Sequence, residues 1–402
     1  MKTYLELLRV PGVARIVAAQ LTARLPGGTL ALGLLLHIEA VFDSYGAAGL
    51  VLASMSIGQA VAGPLTSRWM GRWGMRPVLL LTTLVSTGAI VAIALAPLPL
   101  WGYMVIALVG GLSFPPVSPA VRTIYPKLVT ARQTTPLFSF DAAVQEIIWI
   151  FGPVLVTFVG TQVSTVAGVL LSAVFMLGGG LWFLLSPEVG RVRIPRSRRR
   201  LGVVLTRPTV LVAVLTGILL IGSCAAIEAG VVATFGEGGA QAGLVLGIWA
   251  VSSFAGGLVF GNVPISPWSL ARRIAVVTVG AALAMFAGEF WGLTAALVVA
   301  GACLAPALAV MSATVSSSVK FSDTAEAYGW VNTGQLMGAA IGSAVAGFLI
   351  DAQGASGAFW VAGGLAALAA LVAAAFHRSL PDLRGRDATP LPDTEPVPVT
   401  PS

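Results

Sequence analysis

Among the charged residues inside long apolar segments of the sequence are Arg24, Glu146 and Glu228. A charged group in a hydrocarbon layer costs a few kcal/mol unless it is paired, so such groups mark candidate functional sites. Arg24 and Glu146 lie at similar depths in their segments, which predicts an Arg24–Glu146 ion pair. The pair could fix the packing of two helices, or it could be broken and remade by a substrate or a proton.

Glu228 has no basic residue within its own apolar segment. A carboxyl group without a cationic partner in a dry site tends to stay protonated until water or a cation reaches it. The position therefore suits proton coupling or the recognition of a cationic substrate. The alternative is a carboxylate that is exposed to water near an outer mouth.

Polar side chains recur at helical spacing in two apolar segments. Asp141, Gln145 and Trp149 follow one another at intervals of four residues, so they share one face of a helix. Asn332 and Gln335 lie three residues apart in a later segment. These side chains could present hydrogen-bonding groups to a substrate, or they could join neighbouring helices.

The sequence contains no motif typical of catalysis, of nucleotide binding or of metal binding. It has no glycine-rich loop ending in Gly-Lys, no His-Glu-x-x-His and no Cys-x-x-Cys. Cys224 and Cys303 lie in apolar segments and are expected to be small packing residues. The sequence therefore predicts neither an enzyme nor a cofactor.

These residues belong to a chain that is far more apolar than a soluble protein. Of its 402 residues 57% are hydrophobic and 10% are charged, whereas a soluble domain has roughly 25% charged residues. Segments long enough to cross a hydrocarbon core of ~30 Å predict an all-α polytopic membrane protein. Twelve transmembrane helices, called spans 1 to 12 below, are predicted at residues 13–40, 46–66, 77–97, 101–121, 138–160, 164–186, 209–235, 242–262, 274–291, 293–316, 327–350 and 357–376.

The basic residues predict the orientation of the spans. With both termini in the cytoplasm, the cytoplasmic segments hold 22 of the 23 Lys and Arg residues, and Arg24 is the one left over. This distribution follows the positive-inside rule and predicts a multi-pass protein of the cytoplasmic membrane. The net charge of +7 is then a consequence of topology in a lipid bilayer, and no nucleic-acid partner is expected.

The two halves of the chain repeat each other. The pentapeptide AGLVL opens span 2 at Ala48 and opens span 8 at Ala242, 194 residues later. At an offset of 190 residues, Gly152 of span 5 corresponds to Gly342 of span 11, and Gln145 corresponds to Gln335. Parallel repeats of this kind predict two pseudo-symmetric six-helix halves with a substrate site between them near the midplane.

The turn between spans 2 and 3 reads GPLTSRWMGRWGMRP, and its arginines recur every four residues at Arg68, Arg72 and Arg76. It resembles the loop between helices 2 and 3 of the major facilitator superfamily, whose pattern is Gly-x-Leu-Ala-Asp-Arg-x-Gly-Arg-Lys/Arg. Arg72, Gly74 and Arg76 match the pattern, whereas Gly71 replaces its acid. The resemblance implies two halves that rock around a central cavity, with this loop locking the inside gate. Without the acid, the lock is expected to use the arginines and other acceptors, such as carbonyl groups at helix ends.

The chain is expected to have four parts. These are an N-terminal six-helix half at 1–186, a basic cytoplasmic linker at 187–208, a C-terminal six-helix half at 209–377 and a disordered Pro-rich tail at 378–402. Prolines in spans 4 and 10 are expected to bend these helices, which line the cavity in the superfamily fold.

These features predict a monomeric secondary transporter that moves a small molecule by alternating access. The first hypothesis is proton-coupled efflux, by antiport, of a drug-like or amphipathic metabolite, because the short loops and sparse intramembrane charges are similar to those of efflux permeases. One alternative is a uniporter or importer of an uncharged solute. The other is a protein of transporter fold that does not transport and acts as a sensor or scaffold.

Overall fold

The computed structural model describes residues 2–197, 200–236, 240–261, 263–287 and 289–393, most of which are helical. Helices α1 (Lys2–Arg9) and α10 (Pro187–Arg191) are short and lie outside the spans. Spans 1 to 6 are formed by α2 (Val13–Arg24) with α3 (Pro26–Phe42), α4 (Tyr45–Trp73), α5 (Met75–Leu95), α6 (Leu100–Leu112) with α7 (Val117–Leu128), α8 (Ala131–Gln162) and α9 (Thr165–Leu185). Spans 7 to 12 are formed by α11 (Pro208–Phe235), α12 (Ala240–Phe260), α13 (Ser269–Ala284), α14 (Phe290–Ala302) with α15 (Leu304–Ser318), α16 (Phe321–Gln353) and α17 (Ala355–Ala375).

Among the described residues, eleven of these spans are long and apolar enough to cross a membrane. The twelfth, span 9, has 16 residues, which is about 24 Å of helix. It begins at Ser269, earlier than the predicted residue 274. The helix can include Arg273 because the guanidinium of that residue donates hydrogen bonds to the carbonyl oxygens of Pro306, at 2.8 Å, and Phe260, at 3.4 Å. The chain thus has the twelve transmembrane helices that the sequence predicts.

Prolines interrupt three of the spans. Pro26 begins the second helix of span 1, and Pro115 and Pro116 separate the two helices of span 4. In span 10 the first helix ends at Ala302. Pro306, four residues later, has no N–H to donate to the Ala302 carbonyl group, and its ring would clash with that carbonyl in a continuous helix. The interruptions of spans 4 and 10 are those predicted from their prolines.

The two halves pack their helices in the same way. Gly152 of span 5 lies against Gly28 of span 1, where an added Cβ would be 2.9 Å from the carbonyl carbon of Gly28. Gly342 of span 11 lies against Gly222 of span 7, where an added Cβ would overlap the Gly222 carbonyl group. Small residues allow membrane helices to approach this closely. The sequence repeat therefore relates two equivalent helix contacts, and the halves are pseudo-symmetric.

The halves meet mainly on the side of the bundle that holds α1 and residues 378–393, called the terminus side below. Span 2 packs on span 11, span 4 also packs on span 11, and span 5 packs on spans 8 and 10. The Thr333 hydroxyl donates to the Ala60 carbonyl at 2.8 Å, and the Tyr4 hydroxyl donates to the Leu258 carbonyl at 2.8 Å. These contacts close the terminus side.

The chain after span 12 packs onto the terminus side, whereas the sequence predicts a disordered tail. The Leu383 N–H donates to the Ile265 carbonyl at 2.9 Å, and the Leu391 N–H donates to the Val319 carbonyl at 2.9 Å. The side chain of Leu383 is buried, so apolar residues among the prolines anchor this segment. Residues 394–402 lie outside the described part of the chain.

The linker between the halves is attached to span 11. The Ser197 hydroxyl donates to Asp323 Oδ1 at 2.6 Å, and the Gly202 N–H donates to Glu326 Oε1 at 2.8 Å. The arginines of the basic run at 198–199 lie outside the described residues. The linker is therefore bound to the second half on the terminus side.

Candidate substrate site

A cavity of about 330 Å³ lies between the two halves and is lined by spans 1, 2, 4, 5 and 11. Four of the predicted site residues form part of its wall: Arg24, Gln145, Trp149 and Asn332. Its volume lies within the ~300–1,000 Å³ range of small-molecule sites. The cavity thus contains polar groups from both halves.

Arg24 lies in the wall of this cavity and is held by three oxygen atoms. Its Nη1 donates to Gln20 Oε1 at 2.8 Å and lies 3.4 Å from Asp141 Oδ1. Its Nη2 donates to Gln145 Oε1. Asp141 and Gln145 therefore share the face of span 5 that their spacing predicts, and this face is directed at span 1.

Arg24 pairs with Asp141, and the predicted Arg24–Glu146 ion pair is not the one in the structure. Residues five positions apart on an α-helix point about 140° away from each other, so Glu146 cannot share the face of Asp141. Glu146 is instead buried between spans 5 and 8, where it accepts a hydrogen bond from the Ser253 hydroxyl at 2.9 Å. The Ser253 oxygen also accepts from the Ala305 N–H at 3.2 Å, next to the interruption of span 10.

A second arginine, Arg122, shares the carboxylate of Asp141. The Arg122 Nε lies 3.6 Å from Asp141 Oδ2, and the Tyr125 hydroxyl donates to Asp141 Oδ1 at 2.8 Å. The guanidinium of Arg122 also lies over the ring of Tyr328, with Cζ 5.8 Å from the centroid. The sequence-based end of span 4 at residue 121 puts Arg122 in a loop, but the helix resumes after the two prolines and continues to Leu128. The apolar spacing of residues 117–128 was the signal that could have revealed it.

Glu228 does not line the central cavity. Its side chain has exposed surface on span 7. Glu228 is close enough to Glu146 and to Cys224 for its charge to act on both groups. Glu228 and Glu146 therefore form a second group of carboxyls, separate from the one around Arg24.

Gln335 faces span 7, and its Cγ would be 3.4 Å from a Cβ added at Gly217. It is the repeat partner of Gln145, but it does not reproduce the contact with an arginine. Gly28 of span 1 and Gly222 of span 7 make the equivalent glycine contacts and are 194 residues apart, and at this offset the position of Arg24 is occupied by Ile218. The arginine network is thus confined to the first half.

The turn between spans 2 and 3 lies on the terminus side, and Arg68 bridges the two halves there. Its Nη1 donates to Glu326 Oε2 on span 11 at 2.8 Å. The Glu326 side chain is only 3% exposed, and its other oxygen accepts from the linker at Gly202. One acceptor of Arg68 is therefore a carboxylate on the other half.

The other predicted residues of this turn have structural contacts with the first half or with the start of the linker. Arg72 lies over the ring of Trp73, with Cζ 5.9 Å from the centroid, and the Arg76 guanidinium lies against Gly190 of α10. Gly74 has a φ of 95°, a backbone conformation that favours glycine, and it joins span 2 to span 3.

A second cavity, of about 490 Å³, lies on the terminus side. It is formed by the segment between spans 8 and 9 and by the end of the chain, with Trp268, Arg272 and His377 in its wall. The cavity belongs to the second half alone, so it does not lie on a path between the halves.

Comparison with known proteins identifies the family. The sequence profile of the Major Facilitator Superfamily matches residues 16–288 and 231–401. The chain belongs to the major facilitator superfamily. Its family and its twelve-helix fold are those of multi-pass membrane proteins that transport a solute. No curated protein sequence matches this superfamily member.

Solved structures of other superfamily members share the fold. The human organic anion transporter MFSD10 (TETRAN) has a TM-score of 0.69 and 17% identity, over 90% of this chain and 99% of that chain. A bacterial homologue of the iron transporter ferroportin, in an outward-facing state, has a TM-score of 0.72 and 14% identity, over 91% and 99%. The proton:xylose symporter XylE has a TM-score of 0.70 and 17% identity, over 94% and 98%.

Proposed function

We propose that this superfamily member is a proton-coupled antiporter of the cytoplasmic membrane that exports an amphipathic small molecule. The observation that carries the proposal is the position of Glu146, a carboxyl group buried where spans 5 and 8 of the two halves meet. Alternating access requires this contact to separate. The carboxyl group then passes from a dry contact, which favours its protonated form, into water, which favours its ionised form.

The surroundings of Glu146 support a proton path from the side opposite the termini. Exposed Glu228 lies within electrostatic range of Glu146, so a proton taken up at Glu228 has a buried acceptor nearby. Ser253 joins Glu146 to the Ala305 N–H at the interruption of span 10. A change in the protonation of Glu146 therefore acts on a helix that is already broken, where little further backbone bonding must be lost.

The wall of the central cavity supports an amphipathic substrate. Apolar side chains such as Met55, Phe114 and Ile148 alternate there with the amide groups of Gln59 and Asn332. Apolar walls with a few polar groups are typical of small-molecule sites. The substrate would therefore carry an apolar body and a small number of polar groups.

The positive-inside rule places the terminus side in the cytoplasm. The contacts across the terminus side then correspond to a state that is closed to the cytoplasm. The Arg68–Glu326 pair supplies a gate contact even though Gly71 replaces the acid of the superfamily loop. The missing acid therefore no longer favours a sensor or scaffold that has lost transport.

The test is transport by inside-out membrane vesicles, using a panel of labelled amphipathic anions and cations and an imposed pH gradient. Glu146→Gln should lower accumulation driven by the pH gradient at least about tenfold, because it cannot exchange a proton. The variant should keep the exchange of labelled for unlabelled substrate, which needs no net proton movement. Glu289→Gln, an exposed carboxyl between spans 9 and 10, is the control and should behave as wild type.

Three results would argue against the proposal. Gradient-driven accumulation that survives Glu146→Gln would exclude Glu146 as the proton carrier. Wild-type flux that ignores the gradient would identify a uniporter. An absence of flux for the whole panel, with the folded protein present at normal levels, would favour the sensor or scaffold.

A further inference from the structure

We infer that the central cavity binds the anionic group of its substrate and that Arg24 is the residue that meets it. This inference rests on the proposed transport function and specifies the class of substrate. It predicts a carboxylate, sulfonate or phosphate group attached to an apolar or aromatic body. The charges of the arginine network and the residues that line the cavity support it.

The network at the base of the cavity has an unbalanced positive charge. Arg24 and Arg122 contribute two positive charges, and Asp141 is the carboxylate to which both are directed. The other partners of Arg24 are the neutral amides of Gln20 and Gln145. Within the part of the chain that the structure describes, these two arginines form no ion pair with a second carboxylate. One positive charge therefore remains.

This charge lies where water cannot easily neutralise it. The side chain of Arg24 is 9% exposed and that of Arg122 is 7% exposed. A buried charge without a counter-ion is strongly unfavourable. Two buried donors of the same network, Gln20 Nε2 and Arg122 Nε, also have no hydrogen-bond partner among the described residues. Neither of these two side chains lines the cavity, so the feature that can receive an anionic group is the unbalanced positive charge at Arg24.

Arg24 is the member of the network that a ligand can reach. It lines the cavity together with Gln145, whereas Arg122 and Asp141 do not. A guanidinium group binds a carboxylate, sulfonate or phosphate through two parallel hydrogen bonds. The amide oxygens that now accept from Arg24 are neutral and thus weaker acceptors, so an anionic oxygen can replace them.

The rest of the cavity accommodates the apolar body. Trp149 lies one turn beyond Gln145 on span 5 and is 52% exposed, so its indole ring is available for stacking. Leu336 and Asn332 contribute from span 11, on the other half. A substrate held between Arg24 and these side chains would contact both halves, as alternating access requires. A cationic substrate would meet the unbalanced charge at Arg24 and be repelled.

The test measures binding of three probes that share a naphthalene body and differ in charge. The probes are naphthalene-2-sulfonate, 2-naphthol and (2-naphthylmethyl)trimethylammonium, and their dissociation constants are measured by equilibrium dialysis against the purified protein in a chloride-free buffer. Wild type should bind the sulfonate at least about tenfold more tightly than the other two. Arg24→Gln should lose this preference while retaining its affinity for 2-naphthol. Arg132→Gln, an exposed arginine at the start of span 5, is the matched control.

Asp141→Asn separates a charge effect from misfolding. It removes the only carboxylate of the network, so the affinity for the sulfonate should rise, whereas damage to the fold would lower the affinity for all three probes. Equal affinity of wild type for the three probes would overturn the inference, as would a sulfonate preference that survives Arg24→Gln. These binding data do not depend on a pH gradient. Failure of anion selectivity therefore remains distinct from failure of proton-coupled transport.

Discussion

Replacing Glu326 with glutamine should shift the protein away from the state that is closed on the terminus side. One Glu326 oxygen accepts from Arg68 at 2.8 Å and the other accepts from the Gly202 N–H at 2.8 Å. Glutamine keeps one acceptor oxygen and places an NH₂ group against the other donor. A hydrogen bond to a charged group contributes about 1.5–3 kcal/mol, and the Glu326 carboxylate is almost fully buried. Loss of one such bond should change the equilibrium by about 10- to 150-fold.

Pulsed electron–electron double resonance can measure this shift. Spin labels at Val163 and Ser356, on the side opposite the termini and in different halves, should report a shorter distance when the terminus side opens. The labels are placed in a background from which both native cysteines have been removed. Asp382→Asn is the control, because Asp382 pairs with Arg384 within the tail and does not bridge the halves. A distance distribution for Glu326→Gln that matches wild type would refute the gate, and so would an equal shift in the control.

Two further predictions concern stability. Gly342→Ala should lower the melting temperature in detergent, because the added Cβ overlaps the Gly222 carbonyl and overpacking costs about 1–3 kcal/mol. Gly178→Ala is the control and should leave the melting temperature unchanged, because no atom lies within 4 Å of the Cβ that it adds. Equal losses of melting temperature in the two variants would contradict the glycine contact. Burial alone would raise the pKa of Glu188, but hydrogen bonds from Arg15 and the backbone bring that pKa below its ordinary value. The stabilisation from Glu188 should therefore be present at neutral pH and be lost as pH falls through that lowered pKa. In melting curves from pH 7 to 3, the advantage of wild type over Glu188→Gln should shrink in acid, and a constant advantage would contradict this.

The helices and their repeat could be predicted from the sequence because both follow from local patterns. Apolar length locates a span, and a shared offset links Gly152 with Gly342 because equivalent contacts in the two halves need equally small residues. The depth of Arg24 in span 1 follows from hydropathy in the same way. These properties depend on spacing along the chain, which the sequence displays directly.

The partners of the charged residues could not be predicted from depth alone. Asp141 and Glu146 differ by only five positions on span 5, yet they face different halves, because the rotation of a helix about its axis depends on its neighbours. Arg122 was missed because two prolines interrupt span 4 and its second helix reads as a loop. Glu326 stands one residue before the predicted start of span 11, so its role in a gate contact required the three-dimensional arrangement.

The most direct test of proton antiport is proton movement coupled to substrate movement in liposomes containing the purified protein. The liposomes are loaded with naphthalene-2-sulfonate and a pH-sensitive dye, the membrane potential is clamped with potassium and valinomycin, and the external probe is removed by dilution. Efflux of the probe should acidify the interior in wild type and not in Glu146→Gln. Probe efflux faster than from protein-free liposomes, together with an interior pH that stays constant or rises, would contradict proton antiport.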